Sequence, residues 1–249
     1  MLIGVPKEIK IEENRVGLTP GTVRELVQRG HAVLVETNAA HTIGIDDADF
    51  AAAGASIAVD ASEVFARAEM IVKVKEPQPS EFGLLREDQI LFTYLHLAPD
   101  PAQTEALMKS GCVAIAYETV TDAHGGLPLL APMSEVAGRM AVQAGACCLE
   151  IAHGGRGMLL GGVPGVHPGK VVVLGGGVVG TNSVFVAKGL GASVTVIDLS
   201  LRRLAELDFQ FQSQITTLYS TADTIESEVM DADLVIGAVL LPGATAPHL

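Results

Sequence analysis

The chain has 249 residues, a length that suits one large or two modest domains and hides roughly three-quarters of its extended surface on folding. Apolar residues make up 49% and charged ones only 18%, with 27 glycines and no Trp, which excludes a disordered polypeptide. With 16 basic against 29 acidic side chains the net charge is -13, so the surface repels nucleic-acid phosphates and anionic membranes.

The N-terminus MLIGVPKEIKIEENR meets charge at Lys7 and Glu8, so it has no signal-peptide core and a cytoplasmic protein is expected. Short apolar runs then alternate with helical patterns. Strands are expected at Leu2–Val5, Ala32–Glu36, Met70–Val74, Ile90–Leu95 and Val113–Tyr117. Between them, Thr19 can cap a helix from Pro20 to Arg29 that Gly30 stops, and Asp100–Lys109 follows the same grammar. Near-continuous apolar strands separated by helices mean parallel sheets covered on both faces. Residues 1–128 read as one doubly wound domain, ending at the turn-rich run His124-Gly125-Gly126-Leu127-Pro128.

Residues 129–249 read as a second domain. It opens with a helical pattern from near Ser134 to about His153, small and apolar on most sides, which predicts a buried helix bridging the domains. Gly154–Gly169, dense in glycine and proline, is expected to be loop. A second βα series follows, with strands at Val171–Leu174, Ser193–Ile197, Ile215–Leu218 and Leu234–Val239. The uncharged stretch Val171–Ala187 is too rich in glycine, and too polar at Thr181, Asn182 and Ser183, for a membrane span. Cys112, Cys147 and Cys148 match neither a disulfide framework nor the usual zinc spacings. They are expected to be small buried residues in a reducing compartment, and no metal is expected.

The most specific motif lies in KVVVLGGGVVGTNSVFVAKGLGASVTVID. Gly175-x-Gly177-x-x-Gly180 follows an apolar strand and opens a helix, and a second strand ends in Asp198. Gly175 suits the tight turn, Gly177 the approach of a pyrophosphate, and Gly180 close helix–strand packing. The helix N-terminus offers free N–H groups to phosphates. Asp198 would accept from the ribose hydroxyls and repel a 2′-phosphate, favouring NAD, while nearby Arg202 and Arg203 leave NADP open. This is the pattern of a Rossmann domain.

In doubly wound domains ligands bind beyond the carboxyl ends of the strands. Arg15, Lys75 and His96 stand at such places in the first domain. An Arg fork grips a carboxylate, a Lys presents a point charge to a carbonyl oxygen, and a His moves protons near neutrality. Together they outline a site for a small oxo or amino acid. Each alone also reads as an ordinary surface charge or a structural histidine.

The blocks PKEIKIEENRVGLTP, KVKEPQPSE, LFTYLHLA, APMSEVAGRMAVQAGA, GGRGMLLGGVPGVHPGKVVVLGGGVVGTN and DADLVIGAVLLPGATAP, in order along the chain, resemble the bacterial alanine dehydrogenases. The transhydrogenase α subunit is a further relative. The resemblance implies interconversion of L-alanine with pyruvate and ammonia, linked to NAD, by a cytoplasmic homohexamer. It implies that Arg15 holds the substrate carboxylate, Lys75 bonds the substrate near its reacting carbon, and His96 is the general acid/base. It also implies cofactor contacts from Ser134, Val178, Val179, Asp198, Arg203, Ser220, Val239 and Leu240, beside Gly175, Gly177 and Gly180.

Family members are expected to continue past PGATAP with further strands, a catalytic Asp and a return segment to the first domain. The expected fold is therefore two doubly wound parallel-sheet domains, the second a Rossmann dinucleotide-binding domain, both incomplete at the C-terminus. Three alternatives accompany the main reading: an inactive dinucleotide-binding homologue, a partner subunit, or a transhydrogenase α-type NAD-binding component.

Overall fold

Strand–helix alternation runs through the computed structural model of the chain, which describes residues 1–239. The chain divides into two units, Met1–Leu129 and Leu130–Leu249.

The first unit runs β1 (Leu2–Val5), α1 (Pro20–Gln28), β2 (Ala32–Glu36), α2 (Asp47–Ala52), β3 (Ser56–Ala58), α3 (Ala61–Arg67), β4 (Met70–Val72), β5 (Ile90–Thr93), α4 (Pro101–Ser110) and β6 (Val113–Ala116). Its six strands are parallel, in the order β3-β2-β1-β4-β5-β6. Successive residues of a strand face opposite sides, so β2 feeds two cores. Val33 and Val35 pack with Val5, Val23 and Phe50 on one side. Leu34 packs with Val64, Phe65, Ile71 and Leu91 on the other. Thr19, Asp60 and Asp100 cap α1, α3 and α4 by accepting from backbone N–H groups, each worth about 1 kcal/mol.

β4 and β5 each end two residues earlier than their apolar runs predict, and β6 one. β4 ends at Val72 because the Val74 N–H leaves the ladder to donate to the Glu8 carboxylate at 2.6 Å. β5 ends at Thr93 because the Leu95 and His96 N–H groups donate to Glu118. Side-chain acceptors replace the neighbouring strand at the exits where ligands bind in such sheets. The short elements α2, β3 and α3 have no counterpart in the sequence reading, being only 6, 3 and 7 residues long.

The second unit runs α5 (Ala131–Cys148), β7 (Lys170–Leu174), α6 (Val178–Gly189), β8 (Ser193–Asp198), α7 (Leu201–Gln210), β9 (Thr216–Tyr219), α8 (Ala222–Met230) and β10 (Leu234–Gly237). The four strands are parallel, in the order β10-β7-β8-β9. Val171, Val173, Val194, Val196 and Leu207 form its main core, and Val172, Leu174 and Ile197 line the opposite face.

The helix expected from Ser134 to His153 differs in three respects. It starts earlier, at Ala131, because Pro132 sits in the first turn, where its missing N–H costs nothing. It ends earlier, at Cys148, because the returning glycine segment supplies donors to its end. The Gly157 N–H bonds the Leu149 carbonyl at 2.9 Å, and the Gly155 N–H bonds that of Glu150 at 2.9 Å. It is also not buried all round: within it only Gly138 and Val142 are fully buried. Its small residues serve one face, since a Cβ on Gly138 would lie 2.2 Å from the Val179 carbonyl oxygen of α6. The expectation of buried cysteines is likewise corrected. Cys112 is half-buried, and Cys147 and Cys148 are exposed on the open side of α5. Among the described residues no helix is long and apolar enough to cross a membrane.

Candidate active site

The strand order of the first unit reverses between β1 and β4, so the crevice of this sheet opens where the loops after those strands part. Arg15 comes from the loop after β1, Lys75 from the segment after β4, His96 from the one after β5, and Glu118 from the 3-10 turn after β6. Adjacent strands thus deliver all four to the carboxyl edge.

Arg15 is exposed and forked onto Glu13, with Nε at 2.9 Å and Nη2 at 2.5 Å from its two oxygens. This contact raises the pKa of Arg15 and holds the Glu13 carboxyl below its ordinary value. Lys75 is half-buried. Its carbonyl accepts from the Thr93 hydroxyl at 2.9 Å, and its N–H shares the Glu8 carboxylate with that of Val74. Beneath this segment Lys73 is fully buried, with Nζ 2.8 Å from Glu81 and 3.5 Å from Glu8. Burial is the larger influence on Glu8 and raises its pKa despite that cation. Among the described residues its Oε2 has no hydrogen-bond partner.

His96 sits in the left-handed region at φ 48°, where a non-glycine residue costs about 1–3 kcal/mol. The Glu118 carboxylate holds it there, accepting from the His96 N–H at 2.7 Å and the Leu95 N–H at 3.2 Å. The buried Gln103 amide donates to the Leu95 carbonyl at 2.9 Å. The imidazole lies parallel to the Tyr94 ring, centroids 6.0 Å apart, with Nδ1 4.0 Å from Glu118. Sequence reasoning missed Glu8, Glu13, Tyr94, Lys73 and Glu118. Only the charges within PKEIKIEENR and KVKEP hint at the first two and Lys73, and nothing local ties Glu118 to His96.

In the second unit the order reverses between β7 and β10. Gly175 leaves β7 at φ 99°, where a Cβ would meet the Ala238 carbonyl oxygen at 2.8 Å and Val239 at 3.1 Å. A Cβ on Gly180 would stand 1.9 Å from the Gly175 carbonyl oxygen, whereas one on Gly177 meets nothing within 4 Å among the described residues. Gly177 is the N-cap of α6 and no side chain caps that helix. Among the described residues its first-turn donors therefore have no side-chain partner, the arrangement that receives phosphates. An uncapped helix start, an open glycine and a carboxylate on the next strand together suit a dinucleotide.

Asp198 ends β8, accepting from the Gly176 N–H at 2.6 Å and the Ser200 N–H at 2.8 Å. Arg203 donates to the Gly176 carbonyl at 2.7 Å and the Thr181 hydroxyl at 2.8 Å, and pairs with Glu206. The Ser220 N–H bonds the Asp198 carbonyl at 3.1 Å. Val178 and Val179 form the first turn of α6, the former exposed. Ser134 lies one turn before Gly138 on α5, on the same helix face. Val239 follows β10 and is partly exposed. The structure thus brings Gly175, Gly177, Val178, Val179, Gly180, Asp198, Arg203, Ser220 and Val239 to one edge, while Leu240 lies outside the described residues.

Sequence models of two domains match the chain: alanine dehydrogenase/PNT, N-terminal domain, over residues 4–137, and its C-terminal domain over residues 141–249. The chain belongs to the alanine dehydrogenase/PNT family. Within this family it is 57% identical to the alanine dehydrogenase of Halomonas elongata, over all of this chain and 67% of that protein. Among solved structures it matches an L-alanine dehydrogenase at 55% identity and TM-score 0.93, over 99% of this chain and 68% of that one. A transhydrogenase from Sinorhizobium meliloti shares the fold at 24% identity and TM-score 0.81, over 100% of this chain and 73% of that one. Family membership and the uncapped glycine turn together imply a nicotinamide dinucleotide cofactor.

Proposed function

We propose that the chain carries NAD-linked alanine dehydrogenase chemistry, the reversible oxidative deamination of L-alanine to pyruvate and ammonia. The observation that carries this reading is the convergence of Arg15, Lys75 and His96 on the switch-point edge of the first sheet in a chain 57% identical to an alanine dehydrogenase.

Glu13 engages Nε and Nη2 of Arg15, which leaves Nη1 for a substrate carboxylate. Lys75 is the point charge beside the reacting carbon, favouring the carbonyl oxygen of pyruvate. His96 takes a proton from the water that attacks the iminium carbon and returns one to the departing ammonia. The dinucleotide would be held by Gly175, Gly177 and Gly180, by Val178 and Val179, and by Asp198, Arg203, Ser220, Ser134, Val239 and Leu240. When bound, it supplies the hydride acceptor. Asp198 places its negative charge at the ribose end, and Arg203 is already committed to Gly176, Thr181 and Glu206. Both features favour NAD over a 2′-phosphorylated cofactor. The family resemblance extends the proposal to a cytoplasmic homohexamer.

The test is NADH oxidation with pyruvate and ammonia by the 249-residue chain and its His96→Ala variant. Loss of about 10²–10⁴-fold in turnover, with NADH binding retained, is expected. Unchanged turnover removes His96 from the mechanism. NADH binding without turnover in the parent chain supports a dinucleotide-binding role for this polypeptide instead.

A further inference from the structure

The carboxyl end of α5 carries a side-chain cluster that the reaction above does not use. Cys147 lies in its last turn, Glu150 follows in extended conformation, and His153 closes the 3-10 turn Ile151–His153. Sγ of Cys147 is 3.4 Å from Nδ1 of His153, and Oε2 of Glu150 is 3.3 Å from the same nitrogen. The three ligand atoms all lie within 4.8 Å of one another. We propose that this thiolate, carboxylate and imidazole bind one divalent cation of the zinc class, leaving a fourth position open to water.

The distances favour a metal over a proton relay. Zinc bonds of about 2.3 Å to sulfur and about 2.0–2.2 Å to nitrogen and oxygen put tetrahedral ligand atoms about 3.3–3.7 Å apart. Both measured separations lie in that range. A relay through the imidazole needs the thiol and the carboxylate on opposite ring nitrogens, whereas here both converge on Nδ1. The sulfur is also 3.8 Å from Nε2, so coordination through Nδ1 requires the exposed ring to turn about its Cβ–Cγ bond. The mixed sulfur, nitrogen and oxygen set selects a borderline ion rather than Mg²⁺ or Ca²⁺, which prefer oxygen alone.

The backbone holds the ligands in place without an ion. The His153 N–H bonds the Glu150 carbonyl at 3.1 Å, and the Gly155 N–H bonds it at 2.9 Å. Gly154 turns at φ 83°, and Gly155 passes so close to the helix end that a Cβ would lie 2.2 Å from the Cys148 carbonyl oxygen. The negative end of the α5 dipole adds a favourable field for a cation. Cysteine-pair patterns do not include C-x-x-E-x-x-H, so the sequence spacing alone passes over it.

The experiment titrates the chelator-stripped, reduced chain with ZnCl₂ by calorimetry and with CoCl₂ by absorption. Saturation at one Zn²⁺ per chain and a sulfur-to-cobalt charge-transfer band are expected. Cys147→Ser should abolish the band, His153→Ala should weaken Zn²⁺ binding about tenfold or more, and Cys148→Ser should change neither. Circular dichroism of each variant checks that the fold is intact. Absence of saturable one-ion binding overturns the proposal. So does an unchanged band and affinity in both Cys147→Ser and His153→Ala, or loss of the band in Cys148→Ser alone.

Discussion

His96 can occupy its left-handed conformation because Glu118 answers two backbone donors at once. Removing the carboxylate leaves the Leu95 and His96 N–H groups without their acceptor and frees the turn. Glu118 touches no reacting atom in the proposed scheme and acts as a positioning residue. Glu118→Ala is expected to lower kcat by about 10²-fold, the scale of an ångström of misplacement, with the dissociation constant for NADH unchanged. Glu118→Gln keeps an acceptor oxygen and should restore most of the rate. Equal losses in both variants would mean that the charge, rather than the hydrogen bond, matters. Steady-state kinetics beside fluorescence titration with NADH separates the cases.

At the scale of elements, the turn between β7 and α6 contains glycines of two physical kinds. Gly180 is required by the protein itself, since a Cβ would collide with the Gly175 carbonyl at 1.9 Å. Among the described residues a Cβ on Gly177 meets nothing within 4 Å, so no packing among them requires the glycine and a ligand would. Gly180→Ala is therefore expected to lower both the thermal midpoint and the NADH affinity. Gly177→Ala should leave the midpoint nearly unchanged while weakening NADH binding, because a methyl group would occupy the approach of the pyrophosphate. A Gly177→Ala chain that binds NADH as tightly as its parent would remove the phosphates from this turn. The same logic applies to α5: Gly138 marks its close contact with α6, and Gly145 its contact with Leu234 of β10.

Across the whole molecule, acidic groups with opposed shifts set the pH dependence of stability. Burial lifts the pKa of Glu8 and Glu36 above the ordinary 4.5, against the opposing pull of Lys73 on Glu8 and of the Lys7 N–H on Glu36. A native pKa above the unfolded one means that the folded chain binds the proton more tightly. The corresponding stability is fully present below 4.5 and is lost as pH rises through the raised values. Glu13 behaves oppositely. The Arg15 hydrogen bonds depress its pKa, so its contribution is present above 4.5 and is lost as pH falls through its native value. Urea unfolding of the parent chain and of Glu8→Gln tests the first group. The parent should lose stability relative to the variant as pH rises above 4.5. A difference that stays constant with pH would show that Glu8 titrates alike in both states.

Local pattern alone determined the longer strands and helices, though not the short α2, β3 and α3, together with the parallel arrangement and the glycine turn after β7, because periodicity, caps and turn residues act over a few positions. The placing of Lys75 and His96 beyond strand ends was legible for the same reason, each standing just after an apolar run, with Arg15 in the loop after β1. Tertiary structure decided what surrounds them. Glu118 reaches His96 from 22 residues away, and Glu8 reaches Val74 from 66, because the strand order sets β1, β4, β5 and β6 side by side. It also decided that Lys73 is buried between two carboxylates while Lys75 is not, and that Cys147 faces outward beside Glu150 and His153. Hydrophobic periodicity assigns a residue to a face, but only the packing of distant segments decides whether that face meets protein, ligand or water.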